Sequence, residues 1–183
     1  MGSVGSGGEF KGEHYKFILR TMEDNIRPDK TESLIVINSN GDILIDKSDG
    51  KTDQVSITDD EIKLMKNATI THNHPGGSTF SWQDLRTLEY AEAHEMRAVG
   101  SNGITYSLVS NPGASHNLDF TFAYYTAENK YKSDVVDDIF AKSAQTQEDC
   151  DRCNNMLNEY RRKWLKENAK AYGYTYTERK VKK

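Results

Sequence analysis

Only two cysteines, Cys150 and Cys153, occur among the 183 residues. That is too few for a disulfide framework and suits a reducing compartment better than secretion. No stretch approaches the roughly 18–20 consecutive apolar residues that a membrane span requires. Residues 1–10 lack the basic start and apolar run of a secretory signal. They read instead as a Gly/Ser-rich expression-tag remnant and are set aside from the fold. A cytoplasmic protein is therefore expected, with the reservation that an original leader could have been replaced by that remnant. An excess of basic residues is missing as well: 24 Lys and Arg stand against 28 Asp and Glu, for a net charge of −4. That balance gives no general footprint for a phosphate backbone, so no strong nucleic-acid signal is present. Leu, Ile, Val and Phe make up only about 19% of the chain, which touches the range where disorder becomes a concern. The small net charge and the apolar area of 10 Tyr and 2 Trp argue for a folded chain with a modest core.

What is present organises into alternating elements. Tyr15, Ile18, Leu19, Met22 and Ile26 follow helical spacing, so residues 11–27 are expected to form an amphipathic helix that stops at Pro28. Ser33–Ile37 and Asp42–Asp46 flank Asn40-Gly41, the pattern of a β-hairpin. Thr58-Asp-Asp-Glu61 is a capping box that opens a short helix ending near Asn67. Ala68–His72 reads as a buried strand, broken by His74-Pro-Gly-Gly77, and Ser81 to Asp84 repeats the capping pattern ahead of a helix reaching Met96. Arg97–Val99 and Ile104–Val109 are expected to pair as strands, with Asp119–Ala123 a further edge strand. From about residue 124 the composition turns polar, and Cys153, Met156, Leu157, Tyr160 and Trp164 trace a helical stripe that should end near Gly173. The expected organisation is thus an α/β domain over 11–123 and a C-terminal helical extension over 124–183, whose helix packs on the core or on a protein partner.

The chemistry concentrates in Thr71-His-Asn-His-Pro-Gly-Gly-Ser-Thr-Phe-Ser-Trp-Gln-Asp84. Histidines at i and i+2 on a strand end can turn toward one point, and an Asp one turn into the next helix can meet them. His72, His74 and Asp84 would make an N,N,O site suited to Zn2+, which in catalytic sites keeps a position for water and lowers its pKa to roughly 7. A carboxylate held near the metal without binding it serves best as the proton shuttle, and Glu32, just ahead of the first strand, is the candidate. Ser81 is the candidate donor to a developing oxyanion.

Glu32, His72-Asn-His74-Pro75 and Ser81-Trp-Gln-Asp84 together resemble the JAB/MPN family, whose JAMM motif is a Glu followed by HxHP and SxxD. The HNHP spelling is shared with its RadC-type branch, and the Gly-Gly-Ser-Thr-Phe-Ser run is similar to small JAB-like domains of phage and mobile-element head-morphogenesis proteins. The resemblance covers about residues 11–123. It implies a cytidine-deaminase-like three-layer α/β/α core with a mixed sheet. It also implies a zinc metallopeptidase acting on a peptide or isopeptide bond of a protein or peptide substrate. By position it makes His72, His74 and Asp84 the metal ligands, Glu32 the acid/base and Ser81 the group that steadies the intermediate. One departure stands out: Pro75 to Phe80 is a loop of six residues, one shorter than is usual in the family. Asp84 reaches the metal only if Gly76 and Gly77 take up the difference.

A non-catalytic JAB-like binding or scaffold module is the alternative from another class, since many relatives of this fold have lost turnover. A metal-dependent nuclease or deaminase ranks lower: the contiguous His-Asn-His differs from the dispersed HNH nuclease motif, and the HxE and PCxxC pattern of zinc deaminases is absent. Ser81 and Asp84 taken alone are a helix cap. Cys150 and Cys153, a single CxxC, read as structural cysteines, His14, His94 and His116 as surface or packing residues, and the Lys/Arg clusters near the C-terminus as a solvated face.

Overall fold

Ser33–Ile37 forms strand β1 and is buried along its whole length. Successive side chains of a strand point to opposite faces, so a run of this kind needs cover on both. Helix α1 (Glu13–Ile26) supplies one cover, setting Tyr15, Leu19 and Ile26 against Ile35 and Ile37. Leu34 and Val36 point the other way, into the larger core. Asn40-Gly41 turns the chain into β2 (Ile43–Ser48), antiparallel to β1, with Gly41 at φ +94° as a hairpin turn of this type requires. Helix α2 (Asp59–Met65) opens on the expected Thr58 and Glu61 capping box.

Strand β3 (Thr69–His74) pairs antiparallel with β1 and parallel with β4 (Glu95–Gly100); helix α3 (Trp82–Tyr90) makes the crossover between them. Helix α3 is shorter than expected. It stops at Tyr90, Glu92 takes φ +50°, and Met96 becomes a buried residue of β4. Strand β5 (Ile104–Ser110) follows antiparallel to β4. The computed structural model describes residues 12–142 and 146–181 of the chain, and the tag remnant expected at 1–10 lies outside the described residues.

The C-terminal half differs most from expectation. Residues 119–123, expected as an edge strand, begin helix α4 (Asp119–Tyr131). Phe120, Thr121, Tyr124 and Glu128 are its buried positions, a helical spacing. The buried Glu89 of α3 accepts from the Thr121 amide at 2.8 Å and its hydroxyl at 2.6 Å, capping a helix whose N-cap residue, Leu118, has no capping side chain. A π turn (Lys132–Val136) leads into α5 (Asp137–Lys142), and α6 runs over Gln147–Asn168. The helical stripe is therefore present, but the extension is not helical throughout. After a short 3-10 turn and Gly173 at φ +86°, Tyr174–Lys180 forms β6, paired antiparallel with β5 along its length.

The result is an α/β protein with a mixed sheet of six strands in the order β2-β1-β3-β4-β5-β6 and helices on both faces. The expected break after residue 123 falls inside α4. Phe120 stacks on Tyr174 with ring centroids 4.9 Å apart and on Trp164 at 5.9 Å, so residues on either side of that point share one aromatic cluster. No helix among the described residues is long and apolar enough to cross a membrane.

Candidate metal centre

His72 and His74 lie two apart on β3 and therefore share its face, the one that looks toward α3, while Thr69, Thr71 and Asn73 face α1. The β1–β3 register sets Leu34 opposite His72, and extending it by one pair on that face brings Glu32 level with His74. Pro75 ends the strand, and Gly77 takes φ +72° to turn the chain back; the loop then delivers Phe80, fully buried, into the core. Ser81 caps α3 in a reciprocal box with Asp84: its hydroxyl accepts from the Asp84 amide at 3.3 Å, while Asp84 Oδ2 accepts from the Ser81 amide at 2.7 Å and the Ser81 hydroxyl at 2.9 Å. The six-residue loop is long enough. Gly77 alone takes the left-handed turn, and Asp84 arrives beside the histidines.

The donor atoms converge. His72 Nε2 lies 2.8 Å from His74 Nε2 and 3.1 Å from Asp84 Oδ1, and His74 Nε2 lies 3.6 Å from Asp84 Oδ2. Donors around a tetrahedral zinc at ~2.05 Å are separated by ~3.3 Å, so these edges suit one small divalent ion. Glu32 Oε1 stands farther off, 3.9 Å from His72 Nε2. Glu32, His72 and His74 form a group whose ligand atoms all fall within 4.8 Å of one another and could hold a metal ion. The His74 ring is held for ligation as well. His74 Nδ1 donates to the Ser78 carbonyl at 2.9 Å, which leaves the Nε2 lone pair pointing into the site, the second contact typical of a ligating histidine.

The charges are coupled. Burial works against a charged His72, but the Asp84 carboxylate beside it, helped by Glu32, holds its pKa above the ordinary value. Burial and the neighbouring His72 push His74 down to about 4. Asp84 is buried too, yet the two histidines and the Ser81 amide keep its pKa well below the carboxylate range. Burial raises Glu32, with His72 opposing and Asp84 and Asp53 adding to the rise. Asp84 and His72 thus favour each other's charged forms, while burial disfavours charge on His74 and Glu32.

These groups line a cleft of ≈ 560 Å³. The loop after β2 supplies Asp53, Val55 and Ile57 to its wall, and α6 supplies Arg161. All five residues singled out from the sequence, Glu32, His72, His74, Ser81 and Asp84, meet here.

Several contributors escaped the sequence reading. Asn73, the middle residue of His-Asn-His, faces away from the cleft and binds the segment that carries Glu32: its Oδ1 accepts from the Ser33 amide, and its Nδ2 donates to the carbonyls of Thr31 at 3.0 Å and Asp29 at 3.2 Å. Strand alternation was a usable signal for it. The others come from beyond residue 123. Asn158 Oδ1 accepts from the Thr79 amide at 2.8 Å, the Tyr176 hydroxyl meets Thr79 Oγ1 at 2.8 Å, and the Tyr124 hydroxyl donates to the Phe80 carbonyl at 2.8 Å. Three side chains of the C-terminal segment thus fix the loop between His74 and Ser81. No local pattern announced that contact. Compared with family profiles, with curated proteins and with solved structures, the chain matches none.

Proposed function

We propose that this chain is a JAB/MPN-like zinc metallopeptidase that hydrolyses a peptide or isopeptide bond. The observation that carries the reading is the convergence of His72 Nε2, His74 Nε2 and the Asp84 carboxylate within 2.8–3.6 Å of one another, with Glu32 just outside that triangle in an open cleft. A cytidine-deaminase-like core is the fold this implies. The mixed sheet, the helices on both faces and a site at the C-terminal end of β3, a strand of the parallel β3–β4 pair, support it. Two free cysteines suit a cytoplasmic setting.

In this reading His72, His74 and Asp84 would hold Zn2+, and Glu32, whose Oε1 lies 3.9 Å from His72 Nε2, would serve as the acid/base beside it. Bound zinc supplies a polarised carbonyl and a water acidic enough to attack at neutral pH. Glu32 takes the proton of that water on its carboxylate and delivers it to the leaving nitrogen; its upward-shifted pKa makes it a better proton carrier than a solvated Glu. Ser81 orients Asp84 through the reciprocal cap, and the oxyanion role that the resemblance implies requires its hydroxyl hydrogen to leave Asp84 Oδ2.

Elemental analysis of chelator-free protein, followed by peptide and isopeptide cleavage assays, tests the proposal. The wild type should hold one zinc per chain, His74→Ala should hold none, and Glu32→Gln should keep zinc and lose turnover. A zinc-free wild type after zinc is supplied, or full activity in Glu32→Gln, would overturn it. Zinc retained with no turnover on any substrate would favour the non-catalytic binding module.

A further inference from the structure

The proposed chemistry leaves Arg161 without a task, although it reaches the same cleft. Its guanidinium lies in a fork with the buried Glu128 of α4: Nε donates to Oε2 at 3.0 Å and Nη2 to Oε1 at 2.7 Å. That pairing occupies one edge of the fork. Nη1 makes no hydrogen bond to any described residue. Lys132 is paired with the same Glu128 carboxylate, so two cations share one anion and the cluster carries a surplus positive charge. The Arg161 side chain is 16% exposed, and it is the one lysine or arginine among the described residues that lines the cleft.

We propose that Arg161 is a carboxylate-binding subsite of the cleft, which selects substrates that place a carboxylate on its free Nη1 while the rest of the chain crosses the His72/His74/Asp84 centre. The cleft has polarity. Asp53 and Glu32 lie toward the β2 edge, and Arg161 comes from α6, which packs on the β6 edge. A substrate with an anionic end is attracted in one orientation and repelled in the other. A pair with Glu128 alone could be served by a lysine; a planar guanidinium held on one side offers its remaining nitrogen at a fixed angle. A phosphate is a poorer fit, since a dianion would meet one free nitrogen and three carboxylates, those of Glu32, Asp53 and Asp84. The carboxylate can be the C-terminus of a peptide or an Asp or Glu side chain.

The subsite rests on the peptidase reading for its biological sense but is measured apart from it. Immobilised, zinc-loaded Glu32→Gln protein, which leaves Arg161 untouched, is offered three random tetrapeptide pools. One has free C-termini and no acidic side chains, one is amidated with a single Glu, and one is amidated and neutral. Captured peptides are quantified by mass spectrometry, and zinc is measured on the same samples. A desolvated charged hydrogen bond contributes about 1.5–3 kcal/mol, so one acidic pool should be retained roughly tenfold or more over the neutral pool. The pool retained identifies the source of the carboxylate.

Placing Arg161→Gln in the same background should bring the preference close to unity. Because that change also weakens the Glu128 pair, Arg161→Lys serves as the second variant: it keeps a cation beside Glu128, should remain folded by circular dichroism, and should lose most of the preference. Equal retention of neutral and acidic pools, no retention of any pool, or a preference unchanged in both variants overturns the subsite. A preference that persists in protein that takes up no zinc even when zinc is supplied would sink the peptidase reading and leave the subsite standing. Zinc with cleavage but no preference would do the reverse.

Discussion

Asn73 Oδ1 accepts the backbone amide of Ser33 at 2.7 Å, tying the strand that carries both histidines to the residue that follows Glu32. The Asn73 amide group donates back to the carbonyls of Thr31 and Asp29, so one side chain grips the chain on both sides of Glu32. Lys51 and Ser48 complete the grip: the Glu32 amide donates to the Lys51 carbonyl at 2.7 Å, and the Ser48 hydroxyl donates to the Glu32 carbonyl at 2.7 Å. Glu32 thus sits just ahead of a strand, yet its backbone is held as firmly as if it were within one.

Asn73→Ala should therefore weaken the site without removing any donor. It leaves the buried Ser33 amide without an acceptor, which costs about 2–3 kcal/mol. For a chain of this size that is a fall in Tm of roughly 5–10 °C. Zinc content should be unchanged while kcat falls by about tenfold to a hundredfold, because a displacement of Glu32 of roughly 1 Å is enough for that. Thermal unfolding, metal analysis and kinetics on one preparation check the combination.

Glu32→Gln should stabilise the metal-free protein at neutral pH. The folded-state pKa of Glu32 lies above its ordinary value of 4.5 because burial disfavours the charged form. The penalty is fully present above the folded pKa and disappears as pH falls below the unfolded one. Urea titrations of chelated protein should show the variant more stable at pH 7 and matched to the wild type near pH 4. Equal stability at both pH values would refute the buried-charge account.

Glu178 behaves in the opposite sense. Arg162 holds it in a fork at 2.8 and 2.7 Å, with Lys166 and the Tyr176 hydroxyl also on it, and its pKa is lowered to about 2. The stability it contributes is present above 4.5 and is lost as pH falls toward 2. Glu178→Gln should lower Tm at pH 7, and the difference should shrink steadily between pH 4.5 and pH 2.5.

Gly77→Ala and Gly76→Ala should separate cleanly. Gly77 has φ +72°, and an added Cβ would lie 3.1 Å from Asn102, whose Nδ2 donates to the Gly77 carbonyl at 2.7 Å. The substitution should cost about 1–2 kcal/mol and weaken zinc binding. Gly76 faces open space, and its alanine variant should match the wild type in Tm and zinc content.

Deleting residues 124–183 should unfold the domain. It removes β6 from β5 and takes away Tyr124, Leu165, Ala169 and Tyr174, all buried against the main core. A truncated protein that keeps cooperative unfolding by circular dichroism would show that the first five strands suffice.

The legible parts were those in which local chemistry and global fold agree. Ser33–Ile37, Asn40-Gly41 and the two capping boxes each specify their own geometry, so the hairpin and the starts of α2 and α3 could be read directly. The histidine pair was legible for the same reason: a period of two fixes which face both rings share. Asp119-Phe-Thr-Phe-Ala123 misled because its alternation suits a strand, and only the distant Glu89 makes it a helix start. Tyr174-Thr-Tyr-Thr-Glu-Arg-Lys180 also alternates, but its charged positions hid an edge strand behind what looked like a polar tail. Arg161 and Asn158 belong to a helix whose sequence gives its own buried stripe and nothing about what that stripe will rest on.

Strand β6 also sets a clock on the protein's maturation. His72, His74 and Asp84 are synthesised roughly a hundred residues before Lys180, an interval of about 5–20 s at ribosomal speeds of about 5–20 residues per second. During that time the ligands exist, but the hydrogen bonds from Tyr124, Asn158 and Tyr176 that fix the loop between them have not formed. Until β6 is seated the loop between His74 and Ser81 lacks these anchors, so the convergence of His72, His74 and Asp84 is completed only late in synthesis.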